Sequence, residues 1–96
     1  MLFDLFKQFE WDETKNNINR DKHGLDFNYA KNVFYDDHRI EFVDTRKEYG
    51  EKRSQTIGDT GQHILFVVYT KRGRKYRLIS ARIANKKEKE FYYAEN

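Results

Sequence analysis

The 96-residue chain has no cysteine and no proline, and five glycines punctuate it. Without cysteine there is no disulfide scaffold, no thiolate zinc site and no cysteine nucleophile. No apolar run approaches the roughly 20 residues that span a bilayer. The opening Met1-Leu2-Phe3-Asp4-Leu5-Phe6 lacks the basic region and the length of a secretory signal. A soluble, cytoplasmic protein with no membrane partner is expected. Apolar side chains are scarce as well, at 38% against 36% charged, a balance near that of disordered chains. Eight Phe, seven Tyr and one Trp oppose that tendency, because aromatic rings bury large apolar areas. A folded chain of this size buries roughly two-thirds of the surface it exposes when unfolded, enough for one modest core. One domain over residues 1–96 follows.

The net charge of +3 is unevenly spread. Residues 1–70 carry ten Lys/Arg against thirteen Asp/Glu, whereas residues 71–96 carry nine against three. The last quarter therefore holds the positive field, whose natural target is a polyanion. The alternative is a solvated charged face.

Phe9-Glu10-Trp11 alternates apolar and polar residues and reads as a short first strand. Asp12 is placed to cap a helix over Glu13–His23, with Gly24 supplying its left-handed stop. Asp26 caps a second helix, in which Phe27, Ala30, Val33 and Phe34 share one face. The two form a helix hairpin with one apolar side. From residue 39 the period changes to two, with Ile40 and Phe42 on one face. Residues 44–52 read as a loop and 53–58 as a weak strand. The unbroken run Ile64-Leu65-Phe66-Val67-Val68-Tyr69 predicts a central strand covered on both faces. Arg72-Gly73 turns the chain into a last strand over Lys75–Ile83. Asn85-Lys86-Lys87-Glu88 resembles a capping box that opens a terminal helix through Tyr93. The order is strand, two helices, four strands, helix. The fold class is α+β, with a four-stranded antiparallel sheet and helices segregated to one side.

His23, His38 and His63 share no ligand spacing, and Asp36-Asp37 point to different faces in any regular structure, so no metal site is expected. There is no nucleophile elbow and no glycine-rich phosphate loop, and no cofactor is implied. What the sequence does supply is cationic and aromatic. Arg74 and Lys75 on the final hairpin, with Lys86 and Lys87 at a helix start, are candidate RNA contacts. Tyr76, Tyr92 and Tyr93 interleave with them, Tyr92 being the candidate for base stacking, while Tyr76 also suits packing and Phe91 suits the core. Arg53, Arg77 and Arg82 suit transition-state phosphoryl oxygens because arginine stays charged and binds phosphate bidentately. Arg77 and Arg82 differ in parity and serve one site only if a β-bulge intervenes. Arg82 also suits a structural ion pair with Glu51 or Glu88, and Arg53 has the same ambiguity. RNA cleavage without a metal needs one group to deprotonate the 2′-hydroxyl and another to protonate the leaving 5′-oxygen. His23 and Glu51 are the candidate pair, assisted by Lys22. His23 reads equally well as a helix-end residue favoured by the helix dipole.

Several spaced motifs then converge on one family. Phe9-Glu10-Trp11-Asp12, Lys15, Asn19 and Lys22-His23-Gly24-Leu25-Asp26-Phe27 resemble the opening signature of BrnT toxins. Glu51-Lys52-Arg53 with Gly58, Val67-Val68-Tyr69-Thr70, Arg77-Leu78-Ile79-Ser80-Ala81-Arg82, Glu88 and Tyr92 continue the likeness, which covers residues 9–93 and leaves 1–8 as an N-terminal extension. The resemblance implies a RelE-like fold and a toxin of the RelE/ParE superfamily, an endoribonuclease that arrests growth. It also implies a BrnA-like ribbon-helix-helix antitoxin and contact with DNA only through their complex. The alternative is a RelE/ParE-like binding module that acts on a protein target or holds nucleic acid.

Overall fold

The computed structural model describes residues 7–46, 48 and 50–96. Residues 1–6 of the expected extension, and Lys47 and Tyr49 of the 44–52 loop, lie outside the described residues. Strand β1 (Gln8–Glu10) is followed by helix α1 (Glu13–His23) and the single turn α2 (Phe27–Ala30), which tightens into a 3₁₀ helix over Lys31–Tyr35. Strands β2 (Ile40–Val43), β3 (Ser54–Asp59), β4 (Ile64–Arg72) and β5 (Lys75–Ile83) then lead into helix α3 (Lys86–Ala94).

The caps form as the sequence predicts. The Asp12 carboxylate accepts from the Lys15 amide, and Gly24 closes α1 at φ 73°, its N–H donating to the Arg20 carbonyl. In α3 both halves of the capping box are present, between Asn85 and Glu88. The second helix differs from expectation: only its first turn is α-helical. Phe27, Ala30 and Val33 are spaced by three, and a 3₁₀ turn brings i and i+3 into line, so all three are fully buried along one ridge.

The sheet has five strands in the order β1-β5-β4-β3-β2, not the four antiparallel strands expected. β1 joins it in parallel on β5, with Gln8, Phe9 and Glu10 opposite Lys75, Tyr76 and Arg77. This pairing occupies an edge of β5 that would otherwise expose unpaired N–H and C=O groups. The helices also fail to segregate. Leu65, Val67 and Tyr69 of β4 pack with Phe27, Ala30, Val33 and Phe34 on one face. Ile64, Phe66 and Val68 pack on the other with Ile57, Ala84 and Tyr92 of α3. A central strand apolar on both faces needs cover on both, and α3 provides the second.

One irregularity governs the site. The β4–β5 register passes from Val68 opposite Ser80 to Tyr69 opposite Leu78, leaving Ile79 as the extra residue of a bulge. Arg77 lies opposite Thr70 and Arg82 opposite Phe66. Thr70 and Phe66 are four apart on β4, so both arginines point to the α3-bearing face.

Gly58 lies where β3 meets the 3₁₀ helix. A Cβ there would stand 3.0 Å from the Val33 Cβ and 3.2 Å from the Val33 carbonyl oxygen. Gly58→Ala is therefore expected to destabilise the fold by about 1–3 kcal/mol through overpacking, read as a lower denaturant midpoint at unchanged slope. An unchanged midpoint would mean that the 3₁₀ segment yields freely.

Candidate active site

β1 covers only the first residues of β5, and beyond it α1 meets the open edge. Asn19, almost fully buried, takes the place of a strand partner there. Its Oδ1 accepts from the Ala81 N–H at 3.0 Å, and its Nδ2 donates to the carbonyls of Ala81 and Leu25, both at 2.9 Å. Asn16 binds the start of α2, its Oδ1 accepting from the Phe27 N–H at 2.9 Å. These buried amides fix the helix against the edge. Lys15, Lys22 and His23 then border a cleft of about 170 Å³ floored by Ile79 and Ser80. Burial pushes the His23 pKa below its ordinary value, and the nearby Lys22 and Arg82 charges push it further the same way.

Arg82 lies half-buried on the same face, its guanidinium 4.3 Å from the centroid of the Phe66 ring. Nη1 and Nη2 donate to the two Glu88 carboxylate oxygens at 2.7 and 2.8 Å, a bidentate fork. Burial raises the Glu88 pKa, but Arg82 and the Asn85 N–H outweigh it and hold the carboxyl below its ordinary range. Arg77 Nη1 donates to Glu10 Oε2 at 2.6 Å, an ion pair created by the parallel register of β1. Glu51 lies 3.5 Å from Arg53 Nε and 3.5 Å from Arg72 Nη2. Each candidate arginine thus faces a carboxylate.

The fold brings Lys22, His23 and Arg82 to one end of this face and sets Arg77 on it further along. It does not bring His23 and Glu51 together. Glu51 and Arg53 lie just before β3, at the level of Thr70, whereas Arg82 is level with Phe66. His23 borders Ile79 and Ser80 at the outer edge of β5, so β4 stands between that strand and the start of β3 beside Glu51, two strand spacings or about 10 Å. Arg74, Lys75, Lys86 and Lys87 are exposed to solvent. Tyr92 is not available for stacking: it is 7% exposed inside the second core, and its hydroxyl donates to Asp36 Oδ2 at 2.6 Å. Phe91, expected in the core, is 48% exposed instead. The sequence by itself does not single out Glu10, which pairs with Arg77, or Lys15 and Ser80, which line the cleft beside His23, and it offers Glu88 only as an ion-pair partner. The signals for Glu10 and Lys15 were their places in the opening motif. Nothing local marked Ser80.

No curated protein matches the chain. No helix among the described residues is long and apolar enough to cross a membrane. The model of the family described as "Ribonuclease toxin, BrnT, of type II toxin-antitoxin system" matches residues 11–88, well over half of the chain and ending in the first turn of α3. That span takes in α1 with Lys22 and His23, the Glu51/Arg53 pair, and the whole of β5 with Arg77 and Arg82. The chain belongs to the BrnT family, ribonuclease toxins of type II toxin-antitoxin systems, whose members imply an RNA target and an antitoxin partner.

Proposed function

We propose that this chain is a metal-independent endoribonuclease of RelE/ParE type that cuts RNA on the α3-bearing face of its sheet and thereby arrests growth. The observation that carries this reading is the β-bulge at Ile79, which turns Arg77 and Arg82 to the face bordered by Lys22 and His23. Cleavage runs by attack of the 2′-oxygen on the adjacent phosphorus and leaves a 2′,3′-cyclic phosphate. Arginine forks offset the charge that builds on the phosphoryl oxygens, and His23 moves a proton. Arg53, paired with Glu51, offers a further cation for phosphoryl oxygens at the far end of the face, and Arg74, Lys75, Lys86 and Lys87 hold the RNA backbone along the rim. A BrnA-like ribbon-helix-helix antitoxin neutralises the toxin in the cytoplasm, covering this basic face with acidic and apolar side chains. DNA is met only through that complex.

Incubating the purified protein with end-labelled RNA tests the reading. Cleavage undiminished by EDTA, with cyclic phosphate ends, is expected. Cleavage abolished by EDTA and restored by a divalent cation would overturn metal independence. One observation favours a second reading, a module that binds without cutting: Arg53, Arg77 and Arg82 are each already ion-paired. RNA bound but left intact would support it.

A further inference from the structure

We propose that Glu88 is the general base of the cleavage reaction, acting across Arg82 from His23. This assignment rests on the ribonuclease reading above. Arg82 carries a carboxylate directly on its fork, Glu88 holding both guanidinium nitrogens at 2.7 and 2.8 Å, and His23 borders Ser80, two residues back along the same strand and on the same face. Transesterification of a phosphodiester needs that order of parts, a base, a cation at phosphorus and an acid. Glu51 is held on Arg53 and Arg72 at another level of the sheet and does not reach the same phosphate.

The bidentate geometry that Glu88 uses on Arg82 is also the one a phosphate uses. When RNA enters, two non-bridging oxygens take over the fork and the carboxylate is displaced to the rim. There it takes the proton of the 2′-hydroxyl. The freed 2′-oxygen attacks phosphorus, the bond from phosphorus to the 5′-oxygen breaks, and protonated His23 gives its proton to that leaving oxygen. The products are a 2′,3′-cyclic phosphate and a 5′-hydroxyl, with Glu88 protonated and His23 neutral. The substrate prepares both groups. Losing Arg82 as a partner raises the proton affinity of Glu88, and phosphate beside Lys22 and Arg82 offsets the charges that disfavour protonated His23. Lys15 and Lys22 on the α1 side and Lys87 in the groove beside Glu88 also face this end of the sheet.

Glu88→Gln is a test that spares the fold, because glutamine also completes a capping box at this helix position. The single-turnover rate on RNA is expected to fall by about 10²–10⁴-fold. The acid limb of the pH–rate profile should vanish with it. Binding of a 2′-deoxy-substituted RNA, which cannot be cut, should be unchanged or tighter, and Glu88→Asp should recover part of the rate. A Glu88→Gln variant that cuts as fast as wild type, or faster, would overturn the assignment and make Glu88 only a competitor for Arg82. Failure of the wild-type protein to cut RNA would overturn the ribonuclease reading itself.

Discussion

His23→Gln is expected to slow RNA cleavage by about 10²–10⁴-fold, the contribution of a positioned proton-transfer group. Glutamine keeps a hydrogen-bonding side chain at the end of α1 but does not titrate. The pH profile carries the sharper expectation. Burial, with Lys22 and Arg82 alongside, places the free-enzyme pKa of His23 below the ordinary 6.5. If His23 is the acid, it must hold its proton, so kcat/KM should decline as pH rises through a value under 6.5. The corresponding limb of kcat, which reports the RNA complex, should lie at higher pH because bound phosphate offsets the two cations. Both limbs should disappear in His23→Gln. A variant with wild-type rate and an unchanged profile would return His23 to the role of a helix-end residue.

Arg82→Ala should cost about 10²–10³-fold in the same assay, as expected for removing a donor that acts on transition-state charge. It also removes the partner of Glu88 and the cation over the Phe66 ring. The Arg82 and Glu88 side chains are 35% and 16% exposed, so the pair is partly buried, and removing Arg82 strands the carboxylate at a cost of about 1 kcal/mol or more. For a domain of this size that corresponds to a melting temperature lower by about 4–8 °C or more, so rates taken well below the transition separate the two effects. Arg82→Lys keeps the charge without the fork and should fall between wild type and alanine. Wild-type cleavage by Arg82→Ala would mean that the site lies elsewhere on the molecule.

Much of this was legible in the sequence because it depends on neighbours in the chain. Asp12, Gly24, Asp26 and the Asn85/Glu88 box cap helices through contacts within a few residues. The unbroken apolar run of β4 states on its own that both faces are covered. What escaped depends on distant partners. Nothing near Gln8-Phe9-Glu10 indicates that it pairs in parallel with residues 75–77, and so nothing predicts the Glu10–Arg77 ion pair, which spans 67 positions. Parity made the need for a bulge explicit, but its place at Ile79 follows from how β4 and β5 pack. The adjacent aromatics Phe91, Tyr92 and Tyr93 give α3 no helical phase. Tyr92 turns inward, its hydroxyl meeting Asp36, which also accepts from the Asp59 and His38 amides. Burial raises the Asp36 pKa, but these three donors outweigh it and hold the carboxyl below its ordinary range, a contact that ties α3 to the turn after the 3₁₀ helix and to the end of β3.

That RNA lies on this face, and not on the face covered by α2, is the central claim. The most direct measurement is a titration of the isotope-labelled protein with a 2′-deoxy-substituted RNA oligonucleotide, followed through backbone amide signals. The largest shifts should fall on His23, Arg77, Ser80 and Arg82, with the amides of Phe27, Tyr29 and Asn32 unmoved. Shifts confined to Phe27, Tyr29 and Asn32, with His23, Ser80 and Arg82 silent, would contradict it.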